Sequence, residues 1–278
     1  MSKKRVTGRN QNRRKNSQSK QGSFGESKRQ SAETQVVEGR HAVREALLAG
    51  TRRVREVAIS DGLDVAPILE DIRNLASELR VPLHEYGRAK FNSLTVTESA
   101  QGVIAKCDPL PELDLESLVK EFANPFILVM DGIMDPRNLG AIIRSGECAG
   151  ATGVLLPKHR SVRITPTVAK TAQGAIEHIP IATSSGIPKA ITQLKELGVW
   201  TVGMDISADN DIYDLKVAKE PVALVFGSEG KGLGRLTRER CDVLAGIPLE
   251  GVTESLNVSA AAAIGCFEIA RQRRIGEL

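Results

Sequence analysis

Residues 224–233 place a single carboxylate, Glu229, in a glycine-rich turn directly after an apolar strand. In α/β proteins a ligand usually binds at the carboxyl ends of strands, where the backbone approaches closely only if side chains are absent. The glycines at 227, 230, 232 and 234 fit neither the P-loop nor the dinucleotide fingerprint. A carboxylate is also unfavourable beside a pyrophosphate. The loop therefore favours a neutral or cationic ligand, or one bound mainly through backbone groups.

Further polar residues follow an apolar strand at 126–130 and precede the last helix. Asn138 and Arg144 belong to the first group, and Ser255 and Asn257 belong to the second. Each has an ordinary structural reading as well. An Asn before a helix commonly caps it, an Arg inside a helix commonly faces solvent, and an isolated Glu in a turn commonly lies on the surface.

The positive charge of the sequence is concentrated at its N-terminus. The 278 residues carry a net charge of +4, with 38 basic and 34 acidic side chains. Residues 1–35 hold ten of the basic and two of the acidic ones, a net charge of +8, so the remainder carries −4. We expect this tail to be disordered, because it has too little apolar surface to fold. It is either an arm that binds RNA phosphates or a solubilising tail.

No signal peptide and no long apolar run is visible, so we expect a soluble, cytoplasmic protein without a membrane partner. The four cysteines and four histidines are dispersed, without zinc-like spacing. The sequence therefore predicts reduced cysteines in the core and no metal.

The pattern after residue 35 alternates between helices and strands. In the first part it predicts helices over 36–48, 65–79 and 88–94, and strands over 54–60, 81–85 and 102–106. Two prolines and an acidic run then predict an inter-domain linker over 108–124. In the second part it predicts strands over 126–130, 153–156, 180–182, 199–204, 222–226 and 243–247, with helices over 139–149, 166–176, 188–197, 233–240 and 256–274. This alternation predicts an α/β fold with a mostly parallel sheet and helices on both faces.

Three segments of the second part together resemble the SpoU family of RNA 2′-O-ribose methyltransferases, in the SPOUT superfamily. They are 135–145, the glycine loop with Glu229, and 255–259. The resemblance covers about 150 residues. The start of the first part, Val36-Val37-Glu38-Gly39-Arg40-His41-Ala42-Val43, is similar to the L30e-like domain that precedes the catalytic domain in many members.

The resemblance implies a division of the chain into a disordered tail (1–35), an L30e-like RNA-binding domain (36–107), a linker (108–124) and a SpoU methyltransferase domain (125–278). It implies a trefoil-knotted sheet in which the knot forms the S-adenosylmethionine site, although knots are rare enough that pattern alone predicts an open sheet. It also implies a homodimer. The domain order is similar to the branch that methylates a guanosine of 23S rRNA.

The resemblance also assigns roles at the site. Gly227, Ile247, Ser255, Leu256 and Asn257 are expected around the cofactor. Asn138, Arg144, Glu229 and Asn257 are expected to be catalytic. Arg144 would hold the target phosphate and stabilise the developing alkoxide, with Asn138 and Glu229 orienting it. An Arg is a poor proton acceptor, so whether Arg144 also removes the hydroxyl proton is left open.

Candidate RNA contacts are basic residues in the tail, at the start of the first domain and after a strand of the second. They are Lys3, Lys4, Arg5, Arg13, Arg14, Lys15, Arg40, Arg160 and Arg163. The motifs do not read the base, so methylation of tRNA or of an rRNA adenosine that confers antibiotic resistance are alternatives. A catalytically silent RNA-binding or ribosome-assembly factor is an alternative of a different class.

Overall fold

The computed structural model describes residues 34–97, 100–159 and 161–275. Its strands are β1 (Gln35–Glu38), β2 (Val54–Ser60), β3 (Leu83–Tyr86), β4 (Val103–Cys107), β5 (Glu112–Leu113), β6 (Phe126–Asp131), β7 (Gly153–Pro157), β8 (Ile181–Ser184), β9 (Trp200–Met204), β10 (Asn210–Asp211), β11 (Val222–Gly227) and β12 (Val243–Gly246). Its helices are α1 (Arg40–Ala49), α2 (Pro67–Glu78), α3 (Arg88–Leu94), α4 (Leu115–Lys120), α5 (Pro136–Cys148), α6 (Pro166–Thr171), α7 (Ile187–Glu196), α8 (Arg235–Arg240) and α9 (Val258–Ile275). Short 3-10 helices cover Ala175–Glu177 and Ile212–Asp214.

The strands β1, β4, β2 and β3 form a sheet in that order, the small sheet. Pairing is antiparallel from β1 to β4 and from β4 to β2, and parallel from β2 to β3. The helices α1 and α2 cover one face and bury Val43 and Ile72 against Ile59 and Val103. We call residues 35–107 the small-sheet unit.

The predicted helix over 36–48 is wrong at its start. Residues Gln35–Glu38 form β1, and α1 begins at Arg40. Two β-branched residues, Val36 and Val37, favour a strand here. The strand ends before Gly39, whose φ of 101° lies in the region that favours glycine.

The segment expected as a linker carries regular structure. Its strand β5 pairs with β8 in parallel, and α4 buries Leu118 and Val119 in the core beneath the second sheet. Asp114 starts α4 by accepting a hydrogen bond from the backbone N–H of Ser117 at 2.9 Å. Residues in 112–120 therefore pack with the larger sheet, and the domain limits stay a prediction.

The second sheet has the strand order β10, β12, β9, β11, β6, β7, β8, β5, and we call it the large sheet. Its strand pairs within the described residues are all parallel. Alternate residues of β6 enter two cores: Leu128 and Met130 face α5, α6 and α9, whereas Ile127 and Val129 face α4 and α7. A strand buried on both faces requires the continuous apolar run that the sequence shows.

The last helix crosses back over the sheet. The chain leaves β12 near one edge, and α9 then packs against α5 and β11 at the centre. The loop after β12 lies beside the loop that follows β11, and both line one cavity. In the described ranges, no helix has both the length and the apolar character needed to cross a membrane.

The cysteines do not share one environment. Cys107 and Cys266 are buried, and burial raises the pKa of each thiol to about 12. Cys241 is half-buried, with its pKa also raised to about 12, mainly by burial. Cys148 is exposed, so the prediction that each cysteine is a core residue is wrong for it.

Candidate active site

Three loops meet at the carboxyl ends of β6, β11 and β12. They lead from β6 into α5, from β11 into α8, and from β12 into α9. In a parallel sheet these strand ends lie at one edge, where ligands bind in most α/β proteins. The three segments singled out in the sequence therefore lie at one edge of the sheet.

The glycine loop folds back on itself. The backbone N–H of Ser228 donates to the carbonyl of Gly232 at 3.0 Å, and the N–H of Gly232 donates to the carbonyl of Ser228 at 2.9 Å. A Cβ on Gly227 would lie 2.0 Å from the carbonyl carbon of Gly232, so no larger residue fits. The N–H of Gly234 donates to Asp131 Oδ2 at 2.8 Å, which joins the loop to the end of β6.

Glu229 links the glycine loop to the start of α5. Its carboxylate accepts hydrogen bonds from Asn138 Nδ2 at 2.9 Å and from the backbone N–H groups of Met134 at 3.2 Å and Asp135 at 3.3 Å. Burial by itself raises the pKa of Glu229, but these hydrogen bonds outweigh it and the net pKa is lowered. Glu229 is therefore held as an anion.

Asn138 also contacts the third segment. Asn257 Nδ2 donates to Asn138 Oδ1 at 3.2 Å, so Glu229, Asn138 and Asn257 form one hydrogen-bonded chain across the three loops. Asn257 Oδ1 accepts from the backbone N–H of Ser259 at 2.8 Å and thereby caps α9. The capping role and the contact with Asn138 occur together.

Arg144 lies apart from this chain. It is exposed on α5 and forms no hydrogen bond or ion pair with any residue that the structure describes. The expected hydrogen bond from Arg144 to Glu229 is replaced by the contacts of Glu229 with Asn138 and the backbone. Asn138 and Arg144 are about one and two-thirds helical turns apart, which directs their side chains to different faces.

A cavity of about 550 Å³ lies between the glycine loop and the loops that follow β9 and β12. Each predicted cofactor-binding residue lines it: Gly227, Ile247, Ser255, Leu256 and Asn257. Glu229 lines it too, whereas Asn138 and Arg144 do not. The volume falls in the range of about 300–1,000 Å³ that is typical of small-molecule sites.

A polar cluster in the wall of this cavity was not predicted from the sequence. Asp205 follows β9 and accepts hydrogen bonds from Arg238 Nε at 2.7 Å and from the backbone N–H of Ser207 at 2.8 Å. Arg238 Nη2 donates to Ser207 Oγ at 2.9 Å. The only sequence signal was an Asp directly after an apolar strand. Its partner lies 33 residues away on α8, which spacing does not reveal.

The candidate RNA contacts are spread over the molecule. Arg40 begins α1, and its Nε donates to the carbonyl of Gln101 at 3.2 Å. Arg163 is exposed in the segment between β7 and α6. Arg160, Lys3, Lys4, Arg5, Arg13, Arg14 and Lys15 lie outside the described residues. Among the residues that are described, no group of His, Cys, Asp and Glu could hold a metal ion.

A parallel α/β sheet with a glycine-lined cavity at its carboxyl edge is the arrangement of α/β proteins that bind a small molecule. Residues 125–267 match the model of the SpoU rRNA Methylase family, and residues 36–113 match the model for RNA 2′-O ribose methyltransferase substrate binding. The chain belongs to the SpoU rRNA methylase family.

Relatives and solved structures are similar along most of the chain. The 23S rRNA (guanosine-2′-O-)-methyltransferase RlmB of Pseudomonas putida is 39% identical over 248 residues, covering 88% of this chain and 99% of the relative. The putative TrmH family tRNA/rRNA methyltransferase YacO of Bacillus subtilis is 39% identical over 213 residues, covering 75% and 85%. The SpoU methyltransferase AviRb from Streptomyces viridochromogenes, solved with AdoMet, has a TM-score of 0.73 at 25% identity, covering 91% and 95%. The predicted α/β SPOUT fold class is confirmed.

Proposed function

We propose that this protein transfers a methyl group from S-adenosylmethionine to the ribose 2′-oxygen of a guanosine in 23S rRNA. The observation that carries this proposal is the hydrogen-bonded chain of Glu229, Asn138 and Asn257 beside the glycine-lined cavity. The family membership supports the reaction. The guanosine of 23S rRNA is supported by the named activity of the Pseudomonas putida relative.

The cavity fits S-adenosylmethionine in size and chemistry. Its carboxylates, within the described residues, are Asp205 and Glu229, and both have a lowered pKa. Lys231 and Arg238 lie in the same wall, and this mixed lining suits a ligand that carries a cationic sulfonium, an ammonium and a carboxylate group but no phosphate. Gly227 and Gly232 leave backbone groups accessible, and Ile247 and Leu256 supply an apolar wall. When bound, S-adenosylmethionine supplies an electrophilic methyl group.

Arg144 acts on the RNA side of the reaction. Its guanidinium is exposed and lies outside the cofactor cavity, so it is free to bind the phosphate beside the target ribose. A bound cation also stabilises negative charge that develops on the 2′-oxygen. A guanidinium is not a base at neutral pH, so we assign Arg144 to binding and charge stabilisation, and the hydroxyl proton passes to solvent water as the methyl group leaves the sulfonium.

Glu229, Asn138 and Asn257 hold the three loops in register. The carboxylate of Glu229 is used by three donors and its pKa is lowered, so it is a poor acceptor for the ribose proton. Its role is to fix the start of α5 against the glycine loop. Asn257 and Ser255 place the chain before α9 along the cavity wall.

The protein acts as a homodimer. Up to Ala270, helix α9 is mostly apolar, yet only part of it packs on α5 and β11. Phe267 and Ile275 are 51% and 55% exposed on it, and Leu256 before it is 41% exposed. A second copy covers this surface and brings another site close to Arg144. Light scattering of the purified protein will give twice the monomer mass.

A methylation assay tests the proposed function. The purified protein is incubated with S-adenosylmethionine and deproteinised 23S rRNA, 16S rRNA or tRNA in separate reactions. Ribose methylation is then mapped by resistance to alkaline cleavage. The RNA is taken from a strain that lacks the protein, and we expect the reaction to add one methylated guanosine to its 23S rRNA. Methylation of tRNA or of an adenosine would change the substrate, and failure to bind S-adenosylmethionine would favour a silent RNA-binding factor.

A further inference from the structure

The segment 170–178, which we call the platform, connects the small-sheet unit to the helix that carries Arg144. It begins at the end of α6 and contains the 3-10 helix Ala175–Glu177. The helix α6 packs on β1 and on α5, and the 3-10 helix packs on α1 and α5. The platform therefore lies between the small sheet and α5.

A buried ion pair joins the small-sheet unit to the platform. Arg52 Nε donates to Glu177 Oε2 at 3.0 Å, and the guanidinium makes a second hydrogen bond to Glu177 Oε1. Both side chains are 2% exposed or less. The pair is bidentate, which fixes direction as well as distance.

The remaining polar groups around the pair are also used. Arg52 Nη1 donates to Gln35 Oε1 at 2.9 Å and to the carbonyl of Asp108 at 3.3 Å. Thr51 Oγ1 donates to the carbonyl of Glu177 at 2.6 Å. A charge pair removed from water is costly unless such partners are present, and here they come from separate parts of the chain.

Other platform residues contact α1 and the loop before β4. His178 Nε2 lies 2.9 Å from Glu45 Oε2, and Lys170 Nζ donates to Thr97 Oγ1 at 3.4 Å. A Cβ on Gly174 would lie 2.4 Å from the Cβ of Glu45. The small-sheet unit thus sits on the platform at several points around Arg52.

The platform is held equally closely to α5. A Cβ on Gly140 of α5 would lie 2.7 Å from the Cβ of Thr171 and 2.8 Å from the carbonyl oxygen of Val168. Gly140 is one turn before Arg144 on the same helix. A continuous series of close contacts therefore runs from Arg52 through the platform to the helix of Arg144.

We infer that Arg52 and Glu177 are positioning residues that hold the RNA-binding small-sheet unit at a fixed orientation to Arg144. This inference rests on the proposed function. With the orientation fixed, an RNA bound by the small-sheet unit presents one ribose at the active site. The pair therefore contributes to the choice of nucleotide without touching it.

The test compares the double variant R52M/E177L with the wild type. The double variant leaves no unpaired buried charge, so it is expected to fold. The single variant Arg52→Met leaves the buried carboxylate of Glu177 without its partner, and the same measurements are made on it. The control is Arg73→Met, which removes a surface ion pair with Glu85 at 2.8 Å within the small-sheet unit.

We expect the double variant to bind S-adenosylmethionine and RNA within about 3-fold of the wild type. Its kcat on 23S rRNA falls by about 10²-fold with little change in KM, because displaced reactants lose most of the benefit of orientation. Methylation also spreads to neighbouring nucleotides. Wild-type kcat and a single methylated nucleotide in the double variant would overturn the inference, as would an equal loss in Arg73→Met.

Hydrogen exchange separates this inference from the proposed function. The platform amides of Gln173, Glu177 and His178 donate within the platform itself. We expect their exchange, and that of α1, to accelerate in the double variant and not in Arg73→Met. Unchanged exchange in the double variant would overturn the fixed docking, whether or not the wild type methylates RNA. Absence of RNA methylation by the wild type would refute the proposed function and leave the docking untouched.

Discussion

Arg144 and Asn138 lie on the same helix but face different surroundings. Asn138 is bonded to Glu229 and Asn257, and Arg144 is exposed to solvent. A hydrogen-bonded residue between loops holds geometry, whereas an exposed cation is available to an anionic substrate. The division places loop positioning on one face of α5 and RNA binding on the other.

Replacing Arg144 with Ala will lower kcat by about 10²- to 10³-fold, the loss expected when one positioned stabilising donor is removed. The Kd for S-adenosylmethionine will be unchanged, because Arg144 does not line the cavity. The control is Arg235→Ala, which removes an exposed cation paired with Glu239 on α8. Single-turnover methylation and calorimetric cofactor binding measure the two effects. Near-normal turnover in Arg144→Ala would remove this residue from the reaction.

Glu229 shows how far the location and the partners of a single residue could be predicted from the sequence. Its position after a strand and among glycines indicated a ligand-binding loop, and the structure places it at the cavity. Its partner was predicted as Arg144, yet Asn138 and two backbone N–H groups bind it. The motif specifies residue types. The path of the loop decides which donor reaches the carboxylate.

Glu229→Gln will destabilise the protein at neutral pH by less than about 1 kcal/mol, since an ionised acceptor of several hydrogen bonds is replaced by a neutral amide and solvent screens this exposed side chain. The folded-state pKa of Glu229 is lowered, so its contribution is present above the unfolded pKa and disappears as pH falls through the folded pKa. The difference in unfolding free energy between the variant and wild type will therefore shrink on acidification. Urea unfolding at neutral pH and at about pH 3 measures it. The same difference in unfolding free energy at both pH values would contradict the lowered pKa of Glu229.

At the scale of elements, segments with a strong periodic pattern could be predicted from the sequence. Segments that depend on pairing with a distant strand could not. The strand at 54–60 and the helix at 88–94 have the predicted limits. The strand β5 is two residues long, and only its pairing with β8 defines it. Likewise, β10 is defined by pairing with β12. Two residues are too few to show an alternating pattern in the sequence. Pairing with a neighbouring strand is what makes these segments extended.

The polar cluster of Asp205, Ser207 and Arg238 connects α8 to the loop after β9. A backbone hydrogen bond from Asp205 N to the carbonyl of Ala245 at 3.0 Å holds the same loop against β12. All of these residues lie at the cavity wall. Because the loop is tied from two sides, the shape of the cavity depends on Arg238.

Arg238→Met will weaken binding of S-adenosylmethionine by about 10-fold, equivalent to about 1.4 kcal/mol, because the loop after β9 loses one of its ties. Binding of RNA will be unchanged. The control Arg235→Met lies on the same helix, but its ion pair with Glu239 is exposed and away from the cavity. Equilibrium dialysis with labelled cofactor gives both constants. Equal affinities in the two variants would show that the cluster does not shape the site.

At the scale of the whole molecule, the described residues separate cofactor binding from substrate binding. The cofactor cavity lies at the edge of the large sheet, and the small-sheet unit joins that sheet through the platform. The sequence indicated both units from composition and motifs. It did not indicate how closely they pack, because Arg52 and Glu177 are 125 residues apart and each looks like a surface charge.

The basic tail supplies the charge that the remainder of the chain lacks. Residues 1–32 hold all ten tail cations, and β1 begins at Gln35, so deleting 1–32 leaves the small sheet intact. The deletion will weaken RNA binding and flatten the plot of log K against log salt by about 0.7–0.9 for each phosphate that the tail no longer neutralises. A variant with every tail Lys and Arg replaced by Gln is the matched control and will behave like the deletion, because charge and not length binds phosphate. Filter-binding titrations across a series of KCl concentrations measure the slope, and an unchanged slope would reduce the tail to a solubilising segment.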